Sequence, residues 1–173
     1  MPSSASVATA TNSVGTSIGA ISAWATSDDT RNNPFMSNTL SDITLTFGNL
    51  SVPSGATING LEITVEGQGN NFAATPLIFL DSGGSVSSGI APSAAFNKSD
   101  ATVTYGGPTE LWGLSWTSTT ANGVIATLDM STISSGRVFF DHLFMTVYYT
   151  EGALGFIKLT SGLVKITSGK ISL

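Results

Sequence analysis

Few residues in this chain could do chemistry. His142 is the sole histidine and there is no cysteine, so a Cys-His arrangement is excluded and a Ser-His-Asp one has a single possible base. It sits in a run of strand-forming residues between Asp141 and Leu143, where a neutral imidazole hydrogen-bonded in or beside a core is the simpler reading. Asp28 and Asp29 are adjacent carboxylates in a Ser/Thr-rich stretch. They would suit Ca²⁺ if loop carbonyls converged on them, but such a pair equally makes a solvated turn, and no metal ligands are assigned. Glu62 and Glu66 share a strand face at a spacing that does not by itself make an acid/base pair. No glycine-rich phosphate loop and no HExxH occurs. The expectation is a protein with no catalytic residues, no cofactor and no enzymatic activity.

The aromatic residues offer a different chemistry. Trp112 and Trp116 have the same parity along an extended segment and could form a platform on which a sugar ring stacks, with Trp24 as a third candidate. The competing role is filling the core between two sheets, which large aromatics do well.

The elements that would hold these residues are strands. The longest strand-forming run is 138–150, VFFDHLFMTVYYT. Leu143, Met145, Val147 and Tyr149 alternate with His142, Phe144, Thr146 and Tyr148, so both faces carry bulky groups. Such a strand belongs at the centre of a sheet or at an interface, since an open edge of this kind aggregates. Shorter alternating runs lie at 43–47, 57–65, 77–80, 102–105 and 124–130, with a weaker one at 21–24. Gly48-Asn49, Pro53-Ser54-Gly55, Gly83-Gly84 and Gly106-Gly107-Pro108 separate them as turns. Asn59-Gly60 interrupts an apolar run and marks a bulge or a hairpin. Val86, Ile90 and Phe96 are the expected anchors of the weakly patterned stretch 85–100. Helical periodicity is absent apart from one possible turn at 107–113. This pattern predicts an all-β fold, an antiparallel β-sandwich of jelly-roll type, with a short β-rich C-terminal arm.

Length and charge divide the chain. Its 173 residues predict one domain at 21–151, flanked by an N-terminal arm at 1–20 that docks as an edge strand and a C-terminal arm at 152–173. All 11 acidic residues precede position 152 and three of the six basic residues follow it, so the body carries −8 and the tail +3. An acidic body is a poor match for nucleic acid. No 18-residue apolar run spans a membrane, and the N-terminal segment lacks the charged and apolar regions of a signal peptide. Only 10% of residues are charged, which favours association. The tail repeats with a period of seven: IKLTSGL, VKITSGK, ISL. Ile157, Leu159, Leu163, Val164, Ile166 and Ile171 supply its apolar positions, and Lys158, Lys165 and Lys170 its charges. Too few rungs are present to bury a core alone. The tail is therefore expected either to fold back on the body as a hairpin or, the preferred reading, to pair with other copies, around a symmetry axis or along a neighbour's open sheet edge.

Several of these segments, above all PSGATINGLEI at 53–63 and YGGPTELWGLSWT at 105–117, together resemble a β-sandwich domain recurrent in virion structural proteins of tailed bacteriophages. The resemblance covers about residues 20–150, and the chain departs from it between 67 and 100. It implies a virion structural protein assembled in the host cytoplasm. The favoured role is capsid decoration or cementing, as a homo-oligomer (a trimer favoured) held through its arms to virion proteins such as the major capsid protein. The alternative is a tail fibre, spike or collar component that binds host carbohydrate or receptor. Neither role involves nucleic acid or a membrane.

Overall fold

The computed structural model describes residues 1–12, 36–37, 42–69, 74–131, 137–152, 156–159 and 162–165. The strands are β1 (Pro2–Asn12), β2 (Met36–Ser37), β3 (Ile43–Phe47), β4 (Thr57–Gly69), β5 (Leu77–Asp81) and β6 (Ala101–Gly106). The short helix α1 (Ser118–Asn122) follows, then β7 (Ile125–Asp129), β8 (Arg137–Thr150), β9 (Phe156–Leu159) and β10 (Gly162–Lys165). The expected strand at 21–24, with Trp24, lies outside the described residues.

The fold is an all-β antiparallel sandwich. One sheet runs β1-β8-β4-β6, with β2 also on β8, and the other runs β5-β7-β3-β1. From β3 to β8 every consecutive connection crosses from one sheet to the other, and no strand in that series pairs with its sequence neighbour. This is jelly-roll winding. Register therefore cannot come from tight hairpin turns; it comes from which residues each strand buries. Ile43, Leu45, Ile78, Leu80 and Leu128 face Leu61, Ile63, Val65, Leu143 and Val147 across a closed core in which each is fully buried.

The N-terminal segment is more integral than an arm at a sheet edge. Residues 2–6 of β1 pair with β8, and residues 7–12 pair with β3, with an irregularity between Val7 and Thr9 where the strand passes from one sheet to the other. Its small Ser, Ala and Thr side chains suit a strand that turns a corner.

Two bulges reset the side-chain alternation. In β4, Asn59 is the extra residue between Ile58 and Gly60, so both Ile58 and Leu61 are buried despite opposite parity. In β8, Asp141 is the extra residue between Phe140 and His142, so Val138 and Phe140 join Leu143, Met145 and Val147 in the core. A β-carbon on Gly67, opposite Phe140, would stand 2.3 Å from the Phe139 carbonyl oxygen. Only glycine admits that close backbone approach.

Irregular chain covers the outer edge of β5 and meets that of β6 at Thr104. Ile78 and Ile90 exchange backbone hydrogen bonds of 3.0 and 2.8 Å, and Ser87 N–H donates to the Leu80 carbonyl at 2.8 Å. Residues 86–90 thus occupy the outer side of β5, the position of an eighth jelly-roll strand. On β6, Ser93 N–H donates to the Thr104 carbonyl at 2.7 Å, and its hydroxyl accepts from Thr104 N–H at 3.0 Å. Phe96 anchors this stretch in full burial and Ile90 packs against the core, whereas Val86 is 63% exposed and is no anchor.

The helix is at 118–122 rather than 107–113. Thr117 supplies the reason: its hydroxyl accepts from Thr120 N–H at 3.1 Å, and Thr120 Oγ1 accepts from Thr117 N–H at 3.0 Å, a reciprocal capping box. Asn122 then uses its amide as a backbone mimic, accepting from Val52 N–H at 2.8 Å and donating to the Val52 carbonyl at 2.9 Å.

Candidate functional site

The 105–117 segment uses most of its unusual residues for packing. Gly106 (φ +75°) turns the chain out of β6, and the following residues run on beside β4. Leu61 N–H donates to the Glu110 carbonyl at 2.9 Å, and Gly107 N–H donates to the Leu61 carbonyl at 3.1 Å. Trp112 then drops into the core. It is 1% exposed, and its indole N–H donates to the Leu61 carbonyl at 2.9 Å. Its φ of +60° is unusual for a side chain of this size. The Glu110 carboxylate holds it there, accepting from Trp112 N–H at 2.7 Å.

That burial corrects the stacking platform. Trp112 has no face to offer a ligand, because it seals the end of the sandwich. Trp116 is separate and half-buried, with its indole N–H bonded to the Leu111 carbonyl at 2.9 Å. With Ile58, Leu111 and Leu114 it lines an open cleft of about 510 Å³, whose other walls are backbone and hydroxyl groups from 55–57 and 115–118. The equal parity of the two tryptophans had no meaning, because the segment between them turns instead of running extended.

A second surface lies on the outer face of the β1-β8-β4-β6 sheet. Here β8 presents His142, Phe144, Thr146 and Tyr148, with Ser4 and Ser6 of β1 on one side and Glu62, Thr64 and Glu66 of β4 on the other. His142 is half-buried on this face. Its Nε2 lies 3.4 Å from Ser6 Oγ, and its ring tilts against Phe144 at 5.0 Å between centroids. Ser4 Oγ and Thr146 Oγ1 are 2.8 Å apart. Ser4, Ala5, Ser6, His142 and Phe144 line a shallow hollow of about 240 Å³. The Tyr148 hydroxyl donates to Glu62 Oε1 at 3.4 Å. Partial burial, and then the Glu62 charge, hold its phenol above the usual tyrosine range. The register sets Glu66 directly opposite His142. Yet no hydrogen bond joins them, so Ser6, His142 and Glu66 do not form a proton relay.

A third hollow, about 280 Å³, lies on the opposite sheet between Asp42, Asp129, Phe79, Val86 and Thr127. Asp129 already accepts from Ser131 N–H at 2.7 Å. Among the described residues no three His, Asp or Glu side chains gather as metal ligands. Asp28 and Asp29 lie outside the described residues.

In the tail, β9 and β10 pair antiparallel as a two-stranded sheet separate from the body sheets. Ile157 stands opposite Val164, Leu159 opposite Gly162, Lys158 opposite Leu163, and Lys165 opposite Phe156. Strand alternation therefore gives one apolar face (Ile157, Leu159, Val164) and one mixed face (Phe156, Lys158, Leu163, Lys165). Ile166, Lys170 and Ile171 lie outside the described residues.

The sequence singled out the tryptophans and the tail but read His142 only as a neutral imidazole in or beside the core. The signal for the outer face was present in the second parity of the 138–150 run, where Phe144 and Tyr148 are too large and apolar for a plain solvent face. Compared with protein-family models, curated proteins and solved structures, the chain finds no match in any of the three.

Proposed function

We propose that this protein is a non-enzymatic structural component that assembles through its C-terminal arm. In line with its resemblance to phage β-sandwich domains, we place it in a bacteriophage virion, with capsid decoration or cementing as its role. The observation that carries this reading is the separate β9–β10 sheet. An isolated two-stranded hairpin is marginally stable at best in water, and among the described residues no third strand pairs with this one. Such an element gains stability from a partner surface. The covered outer edge of β5 also bears on the reading, because it leaves little for another chain to pair with there. Assembly then falls to the arm and to sheet faces.

The test is the mass of the full chain in solution, by light scattering, beside a chain ending at residue 151. A trimer or larger from the full chain and a folded monomer from the shortened one is the expected result. Equal masses for both would remove the arm from assembly.

One observation favours a second reading, a receptor- or carbohydrate-binding module of a tail fibre, spike or collar. Trp116 lines an open cleft flanked by hydroxyl-bearing residues. That reading predicts glycan-dependent quenching of Trp116 fluorescence that is lost in Trp116→Ala.

A further inference from the structure

We infer that the outer face of the β1-β8-β4-β6 sheet is the docking surface for the basic C-terminal hairpin of a second copy of this chain. The inference rests on the arm-mediated assembly proposed above and names the surface that the arm meets.

The argument begins with charge. On the strands of this sheet, Glu62 and Glu66 stand on the outer face of β4. The only basic residue in β1, β4, β6 or β8 is Arg137, at the far end of β8. The tail after residue 151 has the reverse composition, with three lysines and no acid. Among the described residues neither carboxylate is matched by a cation. Glu62 takes one long bond from Tyr148, and Glu66 makes no ion pair or hydrogen bond with a described residue.

The spacing of apolar and charged positions also agrees. Glu62 and Glu66 are four residues apart on one strand, about 13 Å. Phe144 lies opposite Thr64, midway between them, with Tyr148 one step beyond Thr146. The mixed face of the hairpin has the complementary order. Lys158 and Lys165 sit on one diagonal, about 8 Å apart, and Phe156 and Leu163 on the other. Flexible four-carbon lysine stems cover the remaining difference of about 5 Å. Laid face to face at about 10 Å, as packed sheets are, the hairpin would set one end of its apolar diagonal against Phe144, level with the middle of the carboxylate pair, and its ammonium groups beside Glu62 and Glu66. Half-buried aromatic residues flanked by unmatched charge are the composition of a recognition surface, with charge setting register and specificity.

Charge exchange in the full chain tests this. The double variant Glu62→Lys/Glu66→Lys should weaken self-association at least about tenfold, since like charges then face each other. Lys158→Glu/Lys165→Glu should do the same, and the chain carrying all four changes should recover association. Thermal melts check folding; if the lysine variant is unfolded, Glu62→Gln/Glu66→Gln takes its place and should weaken association and flatten its dependence on salt. Unchanged association in the face variants, or no recovery in the fourfold variant, overturns the inference. A full chain that is monomeric at every concentration does so as well. The two readings fail separately. If the chain ending at 151 still associates, the arm reading is wrong. If that chain is monomeric while the face variants associate normally, the arm reading stands and this surface is wrong.

Discussion

The corner at 105–117 and the hairpin at 156–165 are the two most distinctive segments of the chain, and they use their residues in opposite ways. The corner turns everything inward. Trp112 is buried, Leu61 donates through its N–H and accepts at its carbonyl, and Glu110 secures a strained φ. The hairpin has pairing within itself and an apolar face with no described neighbour strand. The difference teaches that aromatic content alone does not mark a binding site. What separates the two is whether the body supplies the partners: β4 supplies them to the corner, and among the described residues no body strand supplies them to the hairpin.

The largest effect should come from the corner. Trp112→Ala removes a fully buried ring and its hydrogen bond, and should destabilise the body by about 3–5 kcal/mol, read as a shift in the urea midpoint. Trp116→Ala, at a half-buried site, should cost far less. Equal losses would erase the distinction between the two tryptophans.

Gly106→Ala should come next. A β-carbon there would stand 2.4 Å from the Leu61 carbonyl oxygen at φ +75°. A loss of about 2 kcal/mol or more is expected, as for strain at a special backbone position. A near-neutral melt would mean that the corner can relax, and that it is less rigid than its bonding implies.

Tyr105→Phe is milder. The phenol is buried and donates to the Pro76 carbonyl at 3.2 Å, so about 1 kcal/mol should be lost. Burial raises its pKa far above the usual value of 10.0. The folded state therefore holds this proton more tightly than the unfolded chain. That contribution is intact below pH 10 and falls as pH rises above it. Wild type should lose stability on moving from pH 9 to 11, and Tyr105→Phe should lose less.

The smallest effect on body stability should come from removing residues 152–173. β8 ends at Thr150 and the body sheets are complete without the hairpin. The melt should shift by less than about 0.5 kcal/mol, as for substitutions away from packed features, while the solution mass falls. Outright unfolding would make the hairpin part of the core and collapse the contrast with the corner.

Much of the sandwich could be read from alternation. The runs at 43–47, 77–80, 102–105 and 138–150 became β3, β5, β6 and β8 within a residue or two, and Asn59-Gly60 became a bulge. Gly55 has φ +78° at the turn where Pro53 accepts from Ala56 N–H, as Pro-Ser-Gly suggested. Two-residue periodicity is a local property of a half-buried strand, so the chain displays it without reference to its neighbours.

Other features depended on contacts distant in sequence. The bulge at Asp141 carries no turn residue to announce it, and it arises where β8 must stay in step with β4 around Gly67. Trp112 and Trp116 part company because Leu61, some fifty residues earlier, captures one indole and not the other. The outer face exists only once β1 and β4 flank β8 and bring Ser6, Phe144 and Glu66 onto one surface. The strands, their turns and the separation of an acidic body from a basic tail were legible from the residues alone, because periodicity, backbone preference and charge are written residue by residue. Only the tertiary structure decided which aromatic residues are interior, which edges are closed and which face remains for a partner, because burial is a relation between strands that the chain brings together from far apart.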